Sequence, residues 1–420
     1  MRNGRLWASM IAVRKTVVEN VAHDQESETV VVSVRPARGQ RQLCGICKKR
    51  CPRYDGGAGR RRWRSLDCGV HKVFLEAEAP RVTCRDHGVV VAAVLWARHD
   101  AGHTFAFDDT VAWLAVKTSK TAVTQLMRIA WRSVGAIVAR VSADGLAAVD
   151  RFANVRRIGI DEISYKRNSH YLTVVVDHDT RRLIWASVGR DMAAVHSFFD
   201  ALGEERCTQI THISSDSADW IERVVKRRCP QAIHCADPFH VVSWAQLALD
   251  EVRSESLRRA RALARRGRGQ RSRGPALELW RSRHALWKNP ENLTEHQAAR
   301  LAWIAKTDPR LHRAYLLKEG LRYVFAAGGE EGKEALERWL SWAKRCRIPS
   351  FVKVARQVET RRSQIEATLD HGLSNALIES TNTKIRLLTR IAFGFKNADA
   401  LIGLAMLALG GFCPSLPHAV

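Results

Sequence analysis

Across 420 residues no apolar run approaches the roughly 18 positions that a membrane span needs. The longest, Val89 to Ala97 and Leu401 to Leu409, are too short for that and read as core segments. The opening stretch MRNGRLWASMIAVRK lacks a small-residue cleavage pattern, and Arg14 and Lys15 close its apolar part at once, so no signal peptide is expected. Cysteine, at ten residues, is too sparse for a secreted disulfide scaffold, which would also be a shorter chain. Acidic side chains run short as well, 43 against 68 Lys and Arg. What is present is a globular composition, 46% hydrophobic and 26% charged, which excludes a largely disordered chain.

The net charge of +25 attracts polyanions, with nucleic acid the first candidate and an anionic membrane surface the second. The excess is clustered: Arg253 to Gly274 holds nine Arg and one Glu, with Arg258, Arg261 and Arg265 on one helical face. At this length several domains are expected. Residues 1 to about 98 alternate as short strands and turns, for example Val30–Val34 and Val73–Ala77. Helical spacing follows from Phe107 to Ala143. Strands then recur at Arg157–Ile160, Tyr171–Val176 and Leu183–Val188, before a strand–helix–strand–helix alternation to about 253. The rest is helical; six of the 13 Trp lie between 244 and 342, read as core more than as DNA contacts.

Five of the cysteines lie between 44 and 84. Cys44-x2-Cys47 and Cys84-x2-His87 are two short two-ligand turns, the donor types a structural, four-coordinate zinc requires. Cys51 and Cys68 leave the ligand choice open. Basic residues surround these turns, among them Arg60 and Arg62, making this region a plausible DNA reader. Ala122–Ile129, a turn at 130–133 and Val134–Val141 fit either a helix-turn-helix or an ordinary helical hairpin. In the first case Arg132 at the start of the second helix, and Arg140 further along, are DNA-binding candidates.

Three hairpin-joined strands, a helix, and then strand–helix–strand–helix is the chain order of a ribonuclease H-like fold. Its first and fourth strands are neighbours, which puts Asp161 (in IGIDE) beside Asp216 at the strand ends. Glu379 is the third carboxylate expected from a later helix, where Asn375, Glu379, Asn382 and Arg386 make one polar stripe. Converging carboxylates repel unless cations compensate them, and two magnesium (or manganese) ions would do so while supplying phosphoryl-transfer chemistry. Asp237 and His240, three apart at a helix start, are a rival acid and a supporting histidine; equally, they suit a helix cap and a satisfied terminal histidine.

These residues carry a family resemblance. RRRWRSLDCG, PRVTCRDHGVV, IGIDEISYKR, HYLTVVVDHD, ADPFHVV, LHRAYLLKEGLR and NALIESTNTKIRLLTRIAFGFKN make the chain resemble DDE transposases of bacterial insertion sequences, of the ISL-three group. The resemblance implies a multidomain α/β protein: a zinc-binding N-terminal domain (1–98), a helix-turn-helix region (99–150), and a ribonuclease H-like catalytic domain (151–250 and 366–420) interrupted by an α-helical insertion (251–365). It assigns Asp161, Asp216 and Glu379 to the catalytic triad, with Asp237, His240, Asn375 and Asn382 in support. Ser380 stands where the family usually has Gly. The implied partners are double-stranded DNA, as the terminal inverted repeats of the element and as target. Arg258, Arg261, Arg265, Lys384, Arg386, Arg390 and Lys396 join Arg60, Arg62, Arg132 and Arg140 as candidate DNA contacts. A homodimer or larger assembly on DNA is expected, in the bacterial cytoplasm on the nucleoid, with no membrane partner. A DNA-binding regulator derived from a transposase, and a nuclease of the same fold without joining activity, are the alternatives.

Overall fold

A computed structural model describes residues 2–166, 170–215, 219–266 and 274–416. The chain divides into two compact units, Met1–Asp150 with Leu388–Val420, and Arg151–Leu387. No helix among the described residues is long and apolar enough to cross a membrane.

The first unit begins with α1 (Arg2–Ile11), β1 (Thr16–Asp24), β2 (Thr29–Pro36), β3 (Arg53–Asp55), β4 (Arg60–Arg64), β5 (Lys72–Glu78), β6 (Arg81–Cys84) and β7 (Gly88–Val91). Four of these strands form a sheet ordered β1-β2-β5-β4, and three form a second ordered β3-β6-β7. The two-residue period of strands decides which side chains go inside: Val30, Val32 and Val34 of β2 and Val73, Leu75 and Ala77 of β5 are buried. Trp63 and Trp96 close this core edge to face, ring centres 5.5 Å apart.

Three helices follow, α2 (Phe105–Lys117), α3 (Lys120–Met127) and α4 (Trp131–Ala148). The turn falls earlier than the sequence predicts, because α3 ends at Met127 and Arg128 takes the left-handed conformation at φ 52°. Its guanidinium is held there, Nε donating to Asp67 at 2.8 Å and Nη1 to the Val70 carbonyl at 2.8 Å. The second helix therefore starts at Trp131 and extends to Ala148, with Arg132 exposed in its first turn.

Arg140 is a correction to the expected DNA contacts. Its Nε lies 3.1 Å and its Nη2 3.3 Å from the two oxygens of Asp108, a fully buried carboxylate on α2. Arg98 and His103 approach the same carboxylate, at 3.5 Å each. A buried charge must be compensated, so Arg140 joins α4 to α2 and is not a free cation facing solvent.

The second unit opens with β8 (Arg157–Lys166), β9 (His170–Asp177) and β10 (Arg182–Val188), then α5 (Met192–Leu202), α6 (Glu204–Cys207), β11 (His212–Ser215), α7 (Asp219–Arg228) and β12 (Ile233–Ala236). The sheet order is β10-β9-β8-β11-β12, antiparallel through the hairpins and parallel between β8, β11 and β12. First and fourth strands are thus neighbours, as the chain order predicts. Ile158, Ile160, Val175, Phe198, Phe199, Ile213, Ile221 and Val224 pack into its core.

Helices complete the unit: α8 (Pro238–Arg266), α9 (Pro275–Arg281), α10 (Arg283–Trp287), α11 (Glu295–Thr307), α12 (Pro309–Ala327), α13 (Gly329–Arg345), α14 (Pro349–Thr360), α15 (Arg362–His371) and α16 (Ala376–Ile391). No break marks the expected start of the insertion at 251, since α8 runs through it as one helix of 29 residues. One apolar cluster unites α8 through α15. The tryptophans of this region divide: Trp339 is buried and Trp244 and Trp303 pack against the cluster, whereas Trp280, Trp287 and Trp342 are exposed. The last helix, α17 (Ala398–Leu409), packs on α2 and α4 of the first unit, so the segment 366–420 expected to close the catalytic domain is divided between the two units.

Removing Asp108 takes from Arg140 the buried carboxylate it faces, while Arg98 keeps Asp109 and Asp144. Asp108→Ala should cost the first unit about 3–5 kcal/mol, read as a lower urea midpoint for its transition in the full chain, whereas Arg132→Ala should change it by about 0.5 kcal/mol or less. An unchanged midpoint for Asp108→Ala would remove the buried network from the account.

Candidate functional site

The parallel pairing of β8, β11 and β12 stops at one level, although β8 itself continues beside β9 to Lys166, so Asp161 lies within the strand and not, as the sequence predicts, at its end. Ile160 of β8 pairs with Ser215 of β11, and Ser215 with Ala236 of β12. The residues that follow are Asp161, Asp216 and Asp237. Asp216 lies outside the described residues.

Asp161 accepts two hydrogen bonds, from the backbone of Glu162 at 2.8 Å and from Asn382 Nδ2 at 2.7 Å. The second contact joins residues 221 positions apart and sets α16 against the middle of β8. Asp237, 2% exposed, is held on both oxygens. Its Oδ2 pairs with His240 Nδ1 at 2.7 Å, and its Oδ1 faces the backbone N–H groups of Phe239 and Asn375, each at 3.4 Å.

Glu379 sits in the first turn of α16 and is exposed at its surface. Partial burial and then the negative charge of Asp237 push its carboxyl above the ordinary glutamate value, partly offset by His240. Glu379 therefore shares its surroundings with the Asp237–His240 pair. On the same helix Arg386 is exposed, but Asn382, and Asn375 just before the helix, are buried, so the polar stripe read from the sequence is partly turned inward. Both polar atoms of the Asn375 side chain and Oδ1 of Asn382 have no hydrogen-bond partner among the described residues. Asp161 and Glu379 offer hard carboxylate oxygens, and Asn375 Oδ1 and Asn382 Oδ1 further oxygens, of the kind magnesium or manganese takes, so these residues fit such ions. Glu162, the acid beside Asp161, is absent from the sequence reading; its buried side chain lies 3.7 Å from Arg190. Strand alternation sends it to the other face of the sheet, so the doubled acid motif was its only signal.

In the first unit Cys44, Cys47, Cys84 and His87 come together with their donor atoms all within 4.8 Å of one another, the one such cluster among the described residues. Cys47 and Cys84 sulfurs are 3.7 Å apart, Cys44 Sγ is 3.7 Å from His87 Nδ1, and Cys84 Sγ is 3.5 Å from the same nitrogen. A tetrahedral zinc with ordinary bond lengths has edges of about 3.8 Å between sulfurs and about 3.6 Å between sulfur and nitrogen, so these residues fit that ion. Hydrogen bonds from His87 and from the Asp86 backbone pull the Cys84 thiol down to about 6. Cys51 packs in the same small core with its sulfur directed to the Lys49 carbonyl, and Cys68 lies elsewhere, in the core of the larger sheet.

The basic candidates fall into groups. Arg60 and Arg62 both pair with Glu76 at 2.9 Å, yet remain largely exposed. Arg258, Arg261, Lys384, Arg386, Arg390 and Lys396 are exposed. The side chain of Arg265 lies outside the described residues.

Three family models match the chain. One described as a transposase, of the DDE ISL3 type, covers residues 158–404. A helix-turn-helix domain of transposase family ISL3 covers 92–142. A zinc finger of transposases IS204/IS1001/IS1096/IS1165 covers 40–87, which includes all four cluster residues. Among curated proteins, the transposases for insertion sequence element IS1557 of two Mycobacterium tuberculosis strains, CDC 1551 / Oshkosh and H37Rv, are 61% identical over 99% of this chain and 98% of their own length. The transposase for IS1001 of Bordetella parapertussis is 24% identical over 91% of this chain and 92% of its own.

The depressed Cys84 value gives the zinc cluster a pH signature. Protein stripped by a chelator should take up one equivalent of zinc at pH 7. Affinity should fall as pH drops through about 6, where Cys84 regains its proton, and Cys84→Ala should abolish the uptake. Equal affinity at pH 7 and pH 5 would contradict the assignment.

Proposed function

The chain belongs to the ISL3 family of DDE transposases, and from that premise we propose how its residues divide the work. The zinc finger and helix-turn-helix of the first unit bind the terminal inverted repeats of the element. Asp161, Asp216 and Glu379 of the second unit hold two divalent cations, magnesium or manganese, where the parallel pairing of β8 with β11 stops. Bound there, such ions activate the attacking oxygen and stabilise the departing one. In cleavage a water oxygen bonds to the phosphorus at the element end, and the 3′-oxygen leaves as a hydroxyl. In joining, that 3′-hydroxyl attacks a target phosphodiester and displaces the target's own 3′-oxygen.

The observation that carries this reading is the Asn382–Asp161 hydrogen bond, which brings the helix of Glu379 to the level of Asp161 on β8. Asn382 acts on the orientation of Asp161, its amide donating to Oδ2 of the carboxylate at 2.7 Å. Asp237 is the rival for the second acid, and it is close enough to raise the Glu379 carboxyl. Its oxygens are nevertheless taken by His240 and by backbone N–H groups at the start of α8 and before α16. That favours Asp237 and His240 as the pair that anchors α8 and α16, and Asp216 as the ligand. The cysteine–histidine cluster holds a structural zinc, all four of its positions being taken by protein. Two element ends must be processed together, so the working form is a homodimer or larger assembly on DNA, in the cytoplasm at the nucleoid.

Glu379→Gln should abolish cleavage and joining of end DNA in magnesium while sparing binding to the ends. Products joined to target DNA by the parent protein distinguish a transposase from a nuclease of the same fold, and cutting of any kind distinguishes it from a regulator. Undiminished cleavage by Glu379→Gln would overturn the assignment. Asn382→Ala should slow strand joining about 10–100-fold at fixed magnesium, with partial recovery at higher concentration, as expected of a residue orienting a metal ligand. A rate within twofold of the parent would leave Asn382 a merely structural amide.

A further inference from the structure

We propose that Trp280, Arg283 and Trp287, on the insertion, form a stacking platform for an unpaired base of the DNA that the transposase handles. The inference rests on the DNA-processing reading above and adds to it a site for single-stranded bases away from the carboxylates.

Trp280 lies in the last turn of α9 and Trp287 ends α10, seven positions apart, and they remain 48% and 44% exposed. The same unit buries Trp339 to 3% and ties its ring nitrogen to the Leu317 carbonyl at 2.7 Å, so its core has a place for indoles. Leaving two half-open at neighbouring helix ends is unfavourable in water unless a partner covers them. The Arg283 guanidinium lies between them, 5.6 Å from the Trp280 ring centre and 5.8 Å from that of Trp287. The arrangement is also fixed from within. Lys318, 2% exposed, directs its ammonium at the carbonyls of Leu286 (3.3 Å) and Lys288 (3.5 Å), the residues on either side of Trp287. A buried cation thus pins the backbone that carries an exposed ring.

Charge selects the occupant. Helix α9 packs on α8, whose Arg258, Arg259 and Arg261 are exposed. The acid in α9, Glu278, is paired with Arg281. Flat aromatic faces with an interleaved guanidinium and a cationic rim match a planar base on an anionic backbone, the pairing by which proteins hold single strands. An apolar peptide would gain nothing from the arginines, and an acidic one would not need the rings.

The test uses the full-length protein with two probes, a single-stranded thymidine oligonucleotide of about ten nucleotides and the fully paired element-end duplex. Trp287→Ala should weaken oligonucleotide binding about five- to hundredfold, and Trp287→Phe should restore most of it. Duplex binding should stay within twofold in both. An oligonucleotide with abasic sugars should bind the parent and Trp287→Ala alike. Trp280→Ala serves as a second variant, and the unfolding midpoint of each variant confirms that it is folded. Two results would overturn the platform: oligonucleotide affinity unchanged in both folded alanine variants, or an equal loss for duplex, oligonucleotide and abasic probes, which would mark a phosphate-binding surface. Failure of the parent itself to bind the element-end duplex would be a different result, and would count against the transposase reading instead.

Discussion

Parallel pairing that stops at one level organises the second unit, β8 alone running on beside β9 to Lys166. Between β8, β11 and β12 the last paired residues, Ile160, Ser215 and Ala236, lie in register, and the sequence continues from each into an aspartate. Neighbouring strands are about 4.8 Å apart, a spacing at which adjacent strands can deliver side chains to one place. Asn382 donates to Asp161, His240 and two backbone amides take up Asp237, and Glu379 is left with a carboxyl displaced upward in pKa. On the proposed reading, divalent cations stabilise the rest of the charge.

The first unit solves a related problem differently. There the excess of positive charge is partly spent inside: Arg98 and Arg140 compensate Asp108, and Arg128 is drawn to Asp67. Buried pairs of this kind contribute little net stability, but their geometry is exacting. The cations left exposed, Arg132 among them, are those available to phosphates.

Features of short reach were legible in the sequence. Two-residue turns of Cys and His announce a tetrahedral site, alternation announces β2 and β5, and the order of strands and helices announces a sheet with β8 beside β11. Contacts across long separations were not. Nothing in the spacing of Arg140 reveals Asp108, 32 positions earlier on another helix, and nothing in the apolar run Leu401 to Leu409 reveals that α17 packs on α2 and α4. The turn of the helix-turn-helix was misplaced because a left-handed Arg128, where glycine is the usual choice, leaves no mark in local sequence. Tryptophans were read as core because burial is their common fate, and only the packing distinguishes Trp339 from Trp280 and Trp287.

The central claim is that acids from separate elements, Asp161, Asp216 and Glu379, share divalent cations where the parallel pairing stops. Anomalous scattering from manganese, in crystals of the protein bound to its end DNA, measures this directly. The account predicts two peaks within about 2.2 Å of oxygens from those three carboxylates, with Asp237 still paired to His240. Peaks coordinated by Asp237 in place of Asp216, or none near Glu379, would contradict it.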